Sequence, residues 1–197
     1  MTFRLGLTGS IGMGKSTTAR MFVDEGCALW DADAAVHRLY AVGGAAVPAM
    51  TAAFPGVVVN GAVSRAAIKD LIASDPLVLR RIEQIVHPLV AADRKAFSAE
   101  TVSDIAVFDI PLLFENQGES QMDATVCVTA TPDIQHDRVM ARGTMSEAQF
   151  QMILGKQMPD AEKRARSDYV IETDTLEHAR AQVQAVVRDI RENRLNA

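Results

Sequence analysis

The stretch Gly9-Ser10-Ile11-Gly12-Met13-Gly14-Lys15-Ser16 decides how the rest of the chain is read. It satisfies every fixed position of G-x-x-x-x-G-K-[ST]. An apolar run from Phe3 to Thr8 precedes it, and a helix-like run from about Gly14 to Glu25 follows, stopped by Gly26. The residue types answer the chemistry of a polyphosphate. Its oxygens need several backbone N–H donors converging on one point, with positive φ and no side chains in the way, and glycine supplies both. The helix that opens at Gly14 adds the partial positive charge of its N-terminus. Lys15 is expected to reach the β and γ phosphates, and the Ser16 hydroxyl to ligate Mg²⁺. A chance match would not carry a strand before it and a helix after it. Nucleotide binding is the expectation.

Working outward, four more short apolar runs read as strands: Cys27 to Trp30, Ile105 to Asp109, Ala124 to Val128 and Tyr169 to Ile171. They alternate with helical patterns, which predicts an α/β fold with a five-stranded parallel sheet in a three-layer core. Helix starts are signalled by Thr131-Pro132, by Ser146 with Gln149, and by Asp174 with Glu177. In the last helix Leu176, Ala179, Val183, Val186 and Ile190 recur at three and four and predict one apolar face. From about 33 to 101 helical signals dominate, and only Val57 to Val59 suggests extension, with Gly56 and Gly61 around it marking a turn. A second helical excursion runs from about 132 to 166. No linker divides the chain, so one domain over 1–197 is expected. Its core takes about 1–32, 102–131 and 167–197, with a helical insertion at 33–101 and a lid at 132–166.

Bulk properties exclude several classes. The 197 residues are 48% hydrophobic and 23% charged, an ordinary globular profile. The formal net charge of -5 offers no general attraction to nucleic acid or an anionic membrane. The N-terminus lacks the pattern of a signal peptide, and no apolar run is long enough to span a bilayer. Cys27 and Cys127 have no metal-like spacing and read as buried, reduced thiols. A cytoplasmic protein, monomeric or trimeric, with small-molecule partners is expected.

The loop alone names no reaction. The Asn-Lys-x-Asp base-recognition motif of a GTPase is absent, and Asp109 leads from its strand into Pro111 and a helical-looking segment, unlike a motor ATPase. Asp31 and Asp33 follow the second strand, and the carboxyl ends of strands face the ligand crevice in open α/β sheets. Asp33 is read as the acceptor of a proton from an attacking hydroxyl. Asp31 either orients water on Mg²⁺ or caps the next helix. Phosphoryl transfer also needs positive charge on the transferring group. Arg138 and Arg142, one turn apart on a helix, are the candidates. Lys163, Arg164 and Arg166 form a second basic group, with Arg164 read as a solvated face. An ATP-dependent kinase acting on a small molecule is the expectation, with ATP as substrate and Mg²⁺ as cofactor. A nucleotide sensor without turnover is the rival from another class.

Several segments, taken in order, are similar to the dephospho-coenzyme A kinases over essentially the whole chain. They are Leu7 to Thr17, Asp31-Ala32-Asp33 with His37, Arg65, Ile82 to Val90 with its His87-Pro88 pair, and Asp109-Ile110-Pro111-Leu112-Leu113-Phe114-Glu115. Arg138 and Arg142 with Gln157, and Ser167 to Ile171, complete the set. The resemblance implies transfer of the ATP γ-phosphate to the ribose 3′-hydroxyl of dephospho-coenzyme A, the last step of coenzyme A synthesis. It makes 33–101 an acceptor-binding region and 132–166 a lid. By the same resemblance Lys15, Asp33 and Arg142 are catalytic. Gly12, Met13, Gly14, Lys15, Ser16, Thr17, Arg138 and Arg142 bind ATP. Asp33, Arg65 and His87 serve the acceptor. His87-Pro88 also has the look of a helix cap followed by a first-turn proline. Leu112, Leu113 and Phe114 are expected to pack the acceptor wall. The chain departs from the family where Glu172-Thr173 replaces an Asn-containing segment near the adenine, and where Gly143-Thr144 follows Arg142. A shikimate-like or nucleoside monophosphate kinase would share the loop but not these segments in this order.

Overall fold

The computed structural model describes residues 2–195. In chain order the elements are β1 (Phe3–Thr8), α1 (Lys15–Asp24), β2 (Ala28–Asp31), α2 (Ala32–Tyr40), α3 (Val47–Ala53), β3 (Val58–Val59), β4 (Ala62–Val63), α4 (Arg65–Ser74) and α5 (Val78–Glu100). There follow β5 (Ile105–Asp109), β6 (Ala124–Thr129), α6 (Pro132–Ala141), α7 (Glu147–Leu154), α8 (Asp160–Arg166), β7 (Tyr169–Glu172) and α9 (Leu176–Asp189). Contacts divide them into two compact units, one holding residues up to Trp30 and from Thr101 onward, the other Asp31–Glu100.

The first unit is built on a five-stranded parallel sheet in the order β2-β5-β1-β6-β7. The central strands β5 and β6 are buried at every position, and β1 at all but Arg4, as strands covered on both faces must be. The side chains of β1 alternate between two environments. Phe3, Leu5 and Leu7 join Ile105, Val107, Val126 and Val128 in a core closed by Ala19 and Phe22 of α1 and by Ala179, Val183 and Val187 of α9. On the opposite face Gly6 is crowded. A Cβ there would lie 2.9 Å from both Leu113 and Met122. Helix α9 keeps the expected face except at Leu176, which is 68% exposed. The cap explains it: Thr175, not Asp174, accepts from the His178 N–H, while Asp174 binds the His178 ring. The helix therefore starts one residue later than the Asp174–Glu177 spacing suggests. Thr131 and Ser146 cap α6 and α7 as expected, the latter in a full capping box.

The second unit has its own core, with Leu39, Met50, Phe54, Val57, Val63, Ile82 and Val86 at its centre. Two features differ from the sequence reading. Val58 and Val59 pair antiparallel with Ala62 and Val63 in a hairpin closed by Asn60-Gly61. Both turn residues have positive φ (52° and 78°), the requirement of a two-residue turn matched to strand twist. Pro88 lies in the interior of the 23-residue helix α5, so His87-Pro88 is not a helix start. Proline there removes one helical hydrogen bond. Burial of Val78, Ile82 and Val86 on one stripe holds the helix through it.

Candidate active site

The phosphate loop joins β1, the middle strand, to α1. Gly12 and Gly14 have φ of 80° and 89°, a conformation that side chains strongly disfavour. Space forbids side chains as well: a Cβ on Gly12 would lie 2.7 Å from Val139 and 2.9 Å from the Gln135 carbonyl, and one on Gly14 3.0 Å from Thr173. Met13 points inward and is buried. Its carbonyl accepts the Thr173 hydroxyl (2.8 Å), and its sulfur accepts the Ala130 N–H (3.1 Å). At the loop apex, the Ile11 N–H donates to Gln157 Oε1 (3.0 Å), and its carbonyl accepts Gln135 Nε2 (2.7 Å). The loop is thus held by side chains from α6 and from the segment before α8.

Lys15 pairs with Asp109, the last residue of β5, whose carboxylate is buried. Asp109 is the site residue that sequence reasoning set aside. Its signal was available: an acidic residue closing a fully apolar strand, as a strand-end carboxylate beside a nucleotide must. Ser16 and Thr17 are exposed in the first turn of α1. A cavity of about 370 Å³ opens alongside, walled by Gly14, Thr17, Arg138, Arg142, Thr173 and Thr175 among others. Arg138 donates to the Thr173 hydroxyl (2.8 Å) and to its carbonyl, so this arginine forms part of the wall. Arg142 ends α6 and is exposed at the cavity. Thr173 thereby joins the loop, β6 and Arg138.

The acceptor candidates lie in the second unit. Asp31 caps α2, accepting the Ala34 N–H (2.9 Å), which supports the capping reading for that residue. Asp33 is exposed in the first turn of the same helix. Arg65 opens α4 just after its Ser64 cap, close enough to Tyr40 to be felt electrostatically by the phenol. His87 is exposed on α5. These three residues occupy three separate helices. Leu113 and Phe114 are buried, whereas Leu112 is exposed. In the basic group Arg164 forms an exposed pair with Asp160, and Arg166 pairs with Glu119 over the Phe114 ring. Lys163 departs from the basic-surface expectation, being completely buried and paired with Glu115 (2.9 Å).

The oxygen donors fit magnesium, which usually keeps waters and phosphates and takes only one or two protein ligands. The Ser16 hydroxyl at the start of α1 and the Asp109 carboxylate beside Lys15 are such donors. Among the described residues no cluster of three or more His, Cys, Asp or Glu suits a metal cage, and no helix is long and apolar enough to cross a membrane. Both cysteines are free and buried, which pushes the Cys27 thiol up to about 11 and that of Cys127 to about 12.

A loop of this shape, with its lysine steadied on a strand-end carboxylate and arginines lining the adjoining cavity, handles the polyphosphate of a nucleotide, which puts the chain among the P-loop kinases. The family model described as dephospho-CoA kinase matches residues 3–178. A dephospho-CoA kinase of Ruegeria pomeroyi is 68% identical over 197 residues, covering all of both chains. A crystal structure from Thermus thermophilus superposes with a TM-score of 0.85 at 31% identity, covering 96% of this chain and 98% of that one. A dephospho-CoA kinase from Campylobacter jejuni shares the fold, with a TM-score of 0.69 at 18% identity and the same coverage of each chain. The chain belongs to the dephospho-CoA kinase family. That membership sets aside the shikimate-like and nucleoside monophosphate kinase alternatives.

Proposed function

We propose that the enzyme transfers the γ-phosphate of ATP to the ribose 3′-hydroxyl of dephospho-coenzyme A. The observation that carries this reading is the Lys15–Asp109 pair beside a cavity walled by Thr17, Arg138 and Arg142, in a chain of this family. The backbone of Gly12 to Thr17 cradles the phosphates, and Lys15 turns from Asp109 to the β and γ oxygens. Ser16, with Asp109 nearby, holds Mg²⁺, which when bound neutralises charge on the phosphates. Arg142 stabilises the transferring group, while Arg138 binds ATP from the cavity wall it shares with Thr173. Asp33 accepts the proton of the attacking hydroxyl late in a loose transition state. Arg65 supplies charge to the anionic acceptor, and His87 offers a ring donor to it. The helical segment of about 132–166 closes as a lid and excludes water. Two buried thiols and small polar substrates suit a cytoplasmic enzyme, working as monomer or trimer.

The test is an ADP-release assay with Mg-ATP, offering dephospho-coenzyme A, adenosine, AMP and shikimate in parallel. Turnover with dephospho-coenzyme A alone is expected. Turnover with another acceptor would replace the substrate assignment, and tight ATP binding with no turnover would favour the sensor.

A further inference from the structure

Lys163 sits on α8 with no exposed surface, an unusual place for an ammonium group. It is not idle there. Its Nζ donates to Glu115 Oε1 (2.9 Å) and to the Pro111 carbonyl (3.1 Å). The same carbonyl accepts the hydroxyl of Thr8 (3.1 Å), the residue immediately before the phosphate loop. The same Glu115 oxygen accepts the Met158 N–H (2.9 Å), and the neighbouring Gln157 holds the N–H of Ile11 at the loop apex. Burial alone would push the Glu115 carboxyl up, but Lys163 and the Met158 N–H outweigh it and hold it below the ordinary range. Its second oxygen, Oε2, is buried without a hydrogen-bond partner among the described residues.

A chain of contacts therefore leaves the root of the loop at Thr8, passes through Pro111, Lys163, Glu115 and Met158, and returns to its apex at Ile11. It also fixes the segment that leaves Asp109, the partner of Lys15. We infer that Lys163 is a positioning residue for nucleotide phosphates: it acts through its neighbours, and its pair with Glu115 sets the loop and the Asp109 exit in register. Pairing a buried lysine with a half-buried carboxylate is a weak source of stability, since apolar replacement of such a pair is often neutral. Geometry at the loop is the better account of why the pair is there. The inference rests on the nucleotide-binding part of the function above and extends it to a residue outside the motif.

The experiment compares Lys163→Met, Lys163→Arg, Glu115→Gln and the double variant Lys163→Met/Glu115→Gln. Thermal stability, Mg-ATP affinity by equilibrium titration, and kcat and KM for ATP are measured for each. Lys163→Met leaves a charged, half-buried Glu115 without its ammonium partner, so stability and affinity both fall. The double variant removes both charges and keeps an acceptor for Met158, so its stability returns towards that of the parent. Its ATP affinity is expected to remain about three- to thirtyfold weaker, because the Pro111 carbonyl keeps only the Thr8 hydroxyl and has lost the donor that ties it to α8. Lys163→Arg, which keeps the charge and the donors, recovers part of the affinity. Affinity that returns with stability in the double variant would overturn the inference, as would parental affinity in Lys163→Met. If Lys163→Met fails to fold, the double variant and Lys163→Arg decide the matter. Absence of turnover in the parent would sink the kinase reading alone, because the titrations still read the loop.

Discussion

The two units handle their chemistry in opposite ways. Around the phosphate loop half of the candidate side chains are already engaged, and so is the loop backbone: Lys15 on Asp109, Met13 with Thr173 and Ala130, Arg138 on Thr173, and the Ile11 peptide groups between two glutamines. In the Asp31–Glu100 unit the candidates Asp33, Arg65 and His87 stand exposed on three helices over a core that is apolar. The difference is one of preorganisation. Phosphates present the same oxygens in every cycle, and donors fixed in advance avoid reorganisation at the moment of reaction. Exposed long side chains on separate helices are ordered by the ligand they bind, at an entropic cost met on binding.

Four experiments can break or sharpen that contrast. The largest effect is expected from Asp33→Asn, which should lower kcat by roughly 10²–10⁴ while leaving ATP affinity nearly intact, the range of general-base assistance. A parental kcat would remove Asp33 from the reaction and leave its unit a binding surface only. Lys15→Ala should cost roughly 10²–10³ in kcat/KM, the loss typical of one preorganised donor to developing charge. Because it also removes the ammonium that pairs with the buried Asp109 carboxylate, its melting temperature should change too; an unchanged one would mean the pair is not preformed. Arg65→Ala should raise KM for the acceptor by about ten- to a hundredfold, in line with loss of one charged hydrogen bond, with KM for ATP unmoved. An equal rise in both would make the two units less independent than their architecture suggests.

The smallest effect concerns pH. The His136 ring on α6 bonds Glu147 on α7 (2.8 Å), and this partner raises the His136 pKa above its ordinary value. A raised folded pKa means that its contribution to stability is present below the unfolded pKa and is lost as pH rises through the folded one. Proton NMR of the ring should show the raised value, and Glu147→Gln should lower it. A ring that titrates at its ordinary value in the parent would show α6 and α7 to be unlinked there.

What the sequence disclosed follows from where the physics is local. The strands and the loop were legible because apolar runs and glycine spacing are written in consecutive residues, and β1, β5 and β6 fall within a residue of the expected bounds. The hairpin at Asn60-Gly61 was overlooked although its two-residue turn signal was present, because two-residue strands carry almost no periodicity. Pro88 misled because a proline reads as a helix start, and only the packing of Ile82 and Val86 reveals a helix running through it. Lys163 could not be read from a cluster of basic residues. Whether a charge is solvated or buried depends on Glu115 and Pro111, some fifty positions away. The partners of Thr173 are also far off in sequence, 160 positions away at Met13 and 35 at Arg138.

Gly6 carries a consequence for how this chain can change. It occupies the middle of the central strand, where β-branched residues are normally favoured, yet the space a methyl group would need is already filled by Leu113 and Met122. No single substitution at position 6 can enter without displacing one of them, and Leu113 is buried in the segment that Lys163 anchors. An alanine at 6 therefore forces the Leu113 and Met122 side chains to shift, and a smaller residue at 113 or 122 would relieve that strain.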